Sequence, residues 1–208
     1  IVEQLIALGR DATVQEVGGL AGVYPGGVRH LLIALKIRRQ PRLAARVVEW
    51  VFGVLGCLDI IDVTVALTTQ ARAGEWRAAL QLLRLLGQAR VDLDTVTCNT
   101  AISACGNGGA WGEALKLLRS MARQDVEMSI VSYSNAICAC ERSAEWRHAL
   151  DLIAGMAQAR VDADTIACNS AVSACAKAGS WEAAFDLLAG MAARSLEADT
   201  VTHNAAIS

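Results

Sequence analysis

The stretch TVTCNTAISACGNGGAWGEALKLLRSMARQDVEMS, residues Thr95–Ser129, recurs along this chain at a fixed interval of 35 residues. Its counterparts are Ile60–Asp94, Ile130–Asp164 and Thr165–Asp199, and no insertion separates them. The copies that start at Thr95 and Thr165 agree at 15 of 35 positions. Self-similarity at a period of roughly 20 to 50 residues is typical of stacked supersecondary units that bury their apolar faces against each other. The sequence therefore predicts a repeat array.

The flanking residues match this template less well. Residues 200–208 open a further copy, and residues 25–59 form a degenerate copy that lacks the Trp and Gly landmarks. Residues 1–24 match poorly, and we expect a degenerate helical segment there. Because the chain begins without Met and stops inside a repeat, we expect a fragment of a longer protein.

Two helices are predicted in each copy from apolar residues at three- and four-residue spacings. In Thr95–Ser129 helix A ends at the glycines of GNGG, and helix B begins at Trp111. The predicted fold class is all-α, a right-handed superhelical solenoid of antiparallel helical hairpins with helix A on the concave side. Positions within a copy are numbered 1 to 35, with Thr95 as position 1 of its copy.

Composition favours a soluble protein. Hydrophobic residues make up 54% of the chain and mean hydropathy is +0.36, yet the longest uncharged apolar run is only Trp50–Leu58. A membrane span needs about 20 such residues. We therefore expect no membrane partner. The net charge of −2 and a pI near 5.9 are lower than expected of a strong nucleic-acid binder.

The seven cysteines indicate buried thiols rather than disulfides or zinc ligands. Cys98 and Cys105 recur as Cys168 and Cys175, and a seven-residue spacing places each pair about 10 Å apart on one helical face. That distance exceeds disulfide reach. The Cys-x-Cys at Cys138–Cys140 lacks the second ligand pair of a zinc site. We expect no metal and no cofactor.

Catalytic motifs are missing from the sequence. The three histidines are scattered, and there is no phosphate loop, no paired-carboxylate site and no nucleophile with an identifiable base. We expect no enzymatic activity in this segment and no small-molecule substrate.

A tryptophan recurs at position 17. Aromatic rings of this kind can stack on bases. A small residue follows three residues later in each copy, which lets helices approach closely and favours packing instead. The residues are Trp76, Trp111, Trp146 and Trp181, followed by Ala79, Ala114, Ala149 and Ala184.

The copies resemble pentatricopeptide repeats. The shared features are the period of 35, the VTCN opening of Val96–Asn99, the Ala-Gly at Ala178–Gly179, the Glu-Ala-Leu at Glu113–Leu115 and a Met late in helix B. The connecting segments depart from the family pattern, because Arg160 and Ala163 stand where the family has Gly and Pro. The abundance of Trp and Ala resembles the large pentatricopeptide families of dinoflagellate algae.

This resemblance implies single-stranded RNA binding in an organelle, chloroplast or mitochondrion, with one base per repeat. Base recognition would fall to positions 5 and 35, a sandwich around each base to position 2, and RNA backbone contact to position 13. The base-recognition residues would be Thr64, Asp94, Asn99, Ser129, Ser134, Asp164, Asn169, Asp199 and Asn204. The sandwich residues would be Ile61, Val96, Val131, Ile166 and Val201, and the backbone contacts Arg72, Arg142 and Lys177. The family's pairing rule then implies a preference for 5′-GCGU-3′, with RNA parallel to the chain.

Two alternatives stay open at these positions. An Asp just before a helix is also an N-cap acceptor for free backbone N–H groups. Basic residues at position 13 also offset the partial negative charge at a helix C-terminus.

Two function classes therefore remain. One is an RNA-binding adaptor in organellar RNA processing, editing, stability or translation. The other is a protein-interaction scaffold or a structural subunit of a larger complex, which the low charge favours. A tetratricopeptide array is disfavoured by the period and by the lack of its Trp-Leu-Gly-Tyr pattern.

Overall fold

The computed structural model describes residues 27–55 and 59–193, so that the segments 1–24 and 200–208 lie outside the described residues. Every regular element in this part is an α-helix. They are α1 (Gly27–Ile37), α2 (Pro41–Leu55), α3 (Ile60–Ala73), α4 (Trp76–Gln88), α5 (Thr95–Asn107), α6 (Trp111–Arg123), α7 (Ile130–Arg142), α8 (Trp146–Gln158), α9 (Thr165–Lys177) and α10 (Trp181–Ala193). None of these helices has both the length and the apolarity that a membrane crossing requires.

Helix starts follow the sequence period. Helix A begins at position 1 of each regular copy, and helix B begins at the position-17 tryptophan. In the degenerate copy α2 begins at Pro41, which is also position 17. Proline suits the first position of a helix because the N–H that it lacks has no partner within the helix there. The all-α repeat prediction is confirmed.

The chain divides into two compact units, Ile1–Gly108 and Gly109–Ser208. In the first unit α3 packs against its own helix B, α4, and against helix A of the neighbouring copies, α1 and α5. In the second unit α7 packs against α8 and α9, and α9 packs against α10. Within each unit, helix A is thus the shared packing element.

The core of each copy comes from four positions. Positions 7 and 8 on helix A and positions 20 and 27 on helix B are at most 2% exposed in all four regular copies. Alanine at positions 7 and 20 lets neighbouring helices approach closely, and larger side chains at positions 8 and 27 fill the space between them. These residues are Ala66, Ala101, Ala136, Ala171, Leu67, Ile102, Ile137, Val172, Ala79, Ala114, Ala149, Ala184, Leu86, Met121, Met156 and Met191.

A left-handed residue follows helix A in each regular copy. This residue stands at position 15. It is Gly74, Gly109 and Gly179 in the first, second and fourth regular copies, and Ala144, with φ of 56°, in the third. In α7 the Glu145 N–H donates to the Cys140 carbonyl at 2.9 Å, which closes the helix as a Schellman-type cap. The tight reversal that follows lets helix B fold back against helix A.

The tryptophans are less buried than packing alone would require. Trp76, Trp111 and Trp146 are half-buried, whereas Trp181 is 62% exposed. Each of the first three contacts a neighbour: for example, the rings of Trp111 and His148 lie 4.7 Å apart. The position-17 tryptophans are therefore only partly buried.

The cysteine prediction is confirmed for the described residues. Cys98, Cys105, Cys168 and Cys175 are buried and form no disulfide among the described residues, and Cys138 is half-buried, with its Sγ 3.3 Å from Ser170 Oγ. Burial raises the pKa of the Cys98 thiol to about 11, with a further contribution from the charge of Asp94.

Candidate nucleic-acid interface

Position 2 exposes a large aliphatic side chain in every regular copy. Ile61, Val96, Val131 and Ile166 are 53%, 60%, 54% and 63% exposed, respectively. Burying a side chain of this size would stabilise the fold by about 1.5 to 3 kcal/mol, and exposed apolar groups that form a contiguous surface mark interaction sites. Exposure that recurs at one repeat position is a property of the repeat and not an accident of one loop.

Position 5 lies beside position 2, because residues three apart share a helical face. In the first copy Thr64 donates its hydroxyl to the Ile60 carbonyl at 2.7 Å, and its Oγ1 lies 3.3 Å from Thr97 Oγ1 of the next copy. The hydroxyl proton is thus engaged within its own helix. Its oxygen can still accept a hydrogen bond from a ligand.

Positions 5 and 35 come together in the third copy. Ser134 Oγ donates to Asp164 Oδ1 at 3.5 Å, longer than the usual 2.5 to 3.0 Å for O–H···O bonds. Asp164 Oδ1 also accepts from the Ala167 N–H at 2.8 Å. Both contacts use Oδ1, so Oδ2 is left for a ligand. A base donor could approach the hydroxyl and the carboxylate together.

The degenerate copy places positions 5 and 35 together as well. Its position-5 residue is Arg29, which forms an ion pair with Asp59 at 2.5 Å and with Asp62 at 2.7 Å. Hydrogen bonding to Asp62 is the main reason that the pKa of Arg29 is raised. Because this arginine is already paired with two carboxylates, the degenerate copy lacks the polar site of the regular copies.

The N-cap interpretation of position 35 is confirmed in two copies. Asp94 Oδ1 accepts from the Thr97 N–H at 2.7 Å, and Asp164 caps α9 through the Ala167 N–H at 2.8 Å. Ser129 and Ser132 form a capping box at the start of α7, in which the Ser129 side chain accepts from the Ser132 N–H and the Ser129 N–H donates to Ser132 Oγ at 3.1 Å. Capping does not exclude base recognition, because only one carboxylate oxygen is needed for the cap.

The remaining predicted base-recognition residues are placed in part. Asn99 and Asn169 are half-buried on helix A, and the Oδ1 of Asn169 has no hydrogen-bond partner among the described residues. Asp199, Asn204 and Val201 lie outside the described residues.

Position 13 is exposed in all four regular copies but differs in its partners. Arg72 and Arg142 have no ion pair within the described part of the chain. Lys177 Nζ instead pairs with Glu141 Oε1 at 3.0 Å, which also accepts from Ser173 Oγ at 2.8 Å. Asn107, the uncharged member, donates its side-chain amide to the Ala71 carbonyl at 2.7 Å. Two of the three cations are thus open to a phosphate.

Three charged residues near these positions, Lys36, Arg39 and Glu141, had no role predicted from the sequence. Lys36 and Arg39 line a cleft with Arg72, and Glu141 neutralises Lys177. The sequence feature that could have drawn attention to Glu141 is its charge at position 12, where the other regular copies have Ala71, Gly106 and Ala176. For residues 27–55 and 59–193, no group of three His, Cys, Asp or Glu side chains could hold a metal ion.

Solved structures share this fold at low sequence identity. The pentatricopeptide repeat protein PPR10, in complex with an 18-nt psaJ RNA element, matches with a TM-score of 0.71 and 22% identity over 99% of this chain and 31% of that chain. A second structure, of PPR10 from maize, matches with a TM-score of 0.69 and 22% identity over 98% of this chain and 30% of that chain. This chain thus spans about a third of PPR10.

The PPR domain of Arabidopsis thaliana protein-only RNase P 1, in complex with tRNA, matches with a TM-score of 0.70 and 12% identity, over 85% of this chain and 93% of that chain. Comparison with curated protein sequences finds no significant match.

A family model described as "Pentatricopeptide repeat-containing protein" matches residues 61–191, which is more than half of the chain. This span includes the four exposed aliphatic residues at position 2 and the described helices α4 to α9 in full. The chain therefore belongs to the pentatricopeptide repeat family.

Proposed function

We propose that this chain binds single-stranded RNA as a non-catalytic adaptor, with one base per repeat. This proposal rests on the exposed aliphatic side chains at position 2, here called the position-2 row. In every regular copy the position-2 side chain lies beside a polar residue at position 5. An aliphatic surface accepts the face of any base, whereas the polar neighbour contacts the base edge.

Base selectivity is proposed to arise at positions 5 and 35. Ser134 with Asp164 offers a hydroxyl oxygen and a carboxylate 3.5 Å apart, and both can accept hydrogen bonds from a base edge that presents N–H donors, as guanine does. The family's pairing rule assigns G to this pair, G to Thr64 with Asp94, C to Asn99 with Ser129, and U to Asn169 with Asp199. The proposed target is thus 5′-GCGU-3′.

Phosphate contacts are proposed to come from Arg72 and Arg142, which are exposed and outside ion pairs in the described residues. The structures of PPR10 and of the RNase P 1 PPR domain contain RNA, which supports an RNA ligand for this fold. Action in organellar RNA processing, editing, stability or translation is part of the proposal and is supported by the family resemblance.

The test is fluorescence anisotropy with 3′-labelled RNA that contains GCGU, compared with a scrambled sequence of the same composition, across a salt series. We expect tighter binding of GCGU and a log-log salt slope of about −1.5 to −2, because two or three phosphate contacts contribute about −0.7 each on single strands. Equal affinity for both sequences would contradict base recognition. No binding at low salt would contradict RNA binding as a whole.

A second candidate is a protein-interaction scaffold. The observations that favour it are the net charge of −2 and the neutralisation of Lys177 by Glu141. In that case the position-2 row would contact an apolar peptide. Loss of partner capture in an Ile61→Ser, Val96→Ser double variant, without any RNA binding by the wild type, would favour this candidate.

A further inference from the structure

A cleft of about 500 Å³ lies in the first unit, between the ends of α1 and α3 and the start of α2. It is lined by Lys36, Arg39, Pro41, Thr69, Arg72 and Ala73. Three of these six residues are cations and none is acidic. The cleft is therefore a concentrated positive site in a chain whose net charge is negative.

The corresponding space one copy later is filled. There Trp76 occupies position 17, and a methyl group added at Gly108, position 14, would lie 2.5 Å from Trp76 Cδ1. Asn107 also closes this region by donating to the Ala71 carbonyl at 2.7 Å. In the degenerate copy and its neighbour, Pro41 and Ala73 occupy those two positions and leave the space open.

The three cations of the cleft have uncharged counterparts one copy later. The cations of the cleft stand at positions whose counterparts one copy later are Ala71, Gly74 and Asn107. The junction between the first and second regular copies is thus closed and uncharged, whereas the junction between the degenerate copy and the first regular copy is open and cationic. Packing alone does not require three cations at this place.

Lys36, Arg39 and Arg72 form no ion pair within the part of the chain that the structure describes. Nearby cations are paired: Arg29 with Asp59 and Asp62, and Arg42 with Glu75 at 3.5 Å. Three unneutralised charges around one cleft repel each other, and an anion between them removes that repulsion. Helix α2 also begins at the cleft, and its N-terminal end favours negative charge.

We propose that this cleft binds a phosphate group of the RNA chain, on the 5′ side of the first recognised base. The proposal rests on the proposed function, in which RNA runs parallel to the chain and Thr64 is the first base-recognition residue. The cleft lies at the junction between the degenerate copy and the Thr64 copy, and the position-13 arginine of the Thr64 copy, Arg72, is part of its lining. In this proposal, the group that enters the cleft is the 5′-terminal phosphate of the first nucleotide.

The experiment compares 3′-labelled 5′-GCGUAAAA-3′ with and without a 5′-phosphate. The wild-type chain is expected to prefer the phosphorylated RNA by about three- to tenfold at low salt, with a salt slope steeper by about 0.7. The Lys36→Gln, Arg39→Gln double variant should lose this preference. A matched control, Arg84→Gln with Arg119→Gln, removes the same charge from two exposed helix-B residues and should keep it. Circular dichroism confirms that each variant is folded.

A second arm uses inorganic pyrophosphate alone, followed by calorimetry, and needs no RNA binding. Pyrophosphate binding that is lost in the Lys36→Gln, Arg39→Gln variant but kept in the control supports the anion site, even if the wild type does not bind RNA and the proposed function fails. Equal binding by wild type and double variant in both arms overturns the proposal. If the double variant and the control lose binding equally, the proposal is overturned too, because the net positive charge removed would then explain the loss without a specific site.

Discussion

The Oγ of Ser134 lies 3.5 Å from Oδ1 of Asp164, although 30 residues separate the two in sequence. The same oxygen caps α9 through the Ala167 N–H at 2.8 Å. One carboxylate thus holds the start of a helix and faces the position-5 side chain of the preceding helix A. The cap fixes the carboxylate, and this preorganises it toward any group that approaches Ser134.

Replacing Ala144 by glycine should stabilise the chain. Ala144 has φ of 56°, whereas the other regular copies have glycine at this position with φ of 67° to 71°. A left-handed conformation costs an L-residue about 1 to 2 kcal/mol, partly offset by the greater unfolded-state entropy of glycine. We expect the free energy of unfolding to rise by about 0.5 to 1 kcal/mol in urea titration.

The control for this prediction is Ala157→Gly. Ala157 is an exposed residue within α8, where the same substitution should lower stability by up to about 1 kcal/mol. If both substitutions destabilise the chain, position 15 of this copy does not adopt the left-handed conformation.

Replacing Gly108 by alanine should destabilise the first unit. The added methyl would lie 2.5 Å from Trp76 Cδ1 and against the Gly74 carbonyl, and backbone cannot move aside cheaply. Overpacking of this kind costs about 1 to 3 kcal/mol. Gly87→Ala is the matched substitution, because nothing lies within 4 Å of its added methyl in α4, and it should be neutral or stabilising. A Gly108→Ala chain with a higher melting temperature than wild type would show that Trp76 does not pack there.

Replacing Glu141 by glutamine should strengthen RNA binding. Glu141 holds Lys177 Nζ at 3.0 Å, so loss of its charge frees the lysine for a phosphate. We expect affinity to rise about three- to tenfold at low salt and the salt slope to steepen by about 0.7. Glu113→Gln changes the net charge equally but frees Lys116 on helix B, 2.7 Å from Glu113, and should have a smaller effect. The same gain in both variants would indicate a response to net charge alone.

The helical repeat was predictable from sequence because it depends on local pattern. Positions 7, 8, 20 and 27 are apolar in every copy, and a fixed period imposes the same packing on each. The family resemblance assigned the position-2 residues to a base-binding surface, whereas their hydrophobicity alone would have assigned them to the core. Val96 illustrates this: it is apolar, yet 60% exposed.

Contacts between copies could not be predicted in the same way. Thr64 and Ser134 occupy the same position, but Thr64 donates to its own helix whereas Ser134 faces Asp164. That difference depends on side-chain rotamers. The cationic cleft depends on two substitutions in different copies, Pro41 for Trp and Ala73 for Gly, whose effect appears only when the helices are packed.

Base preference at the third position of the bound RNA tests the central claim most directly. In the Ser134→Asn variant the pair with Asp164 becomes Asn with Asp, which the family rule assigns to U, whereas Ser134→Thr retains the assignment to G. Anisotropy with GCGU and GCUU RNAs should show wild type and Ser134→Thr preferring G, and Ser134→Asn preferring U. Each preference should be about tenfold, since a good base-edge contact is worth about 1 to 3 kcal/mol. A Ser134→Asn chain that binds RNA with an unchanged preference for G would contradict base recognition at position 5.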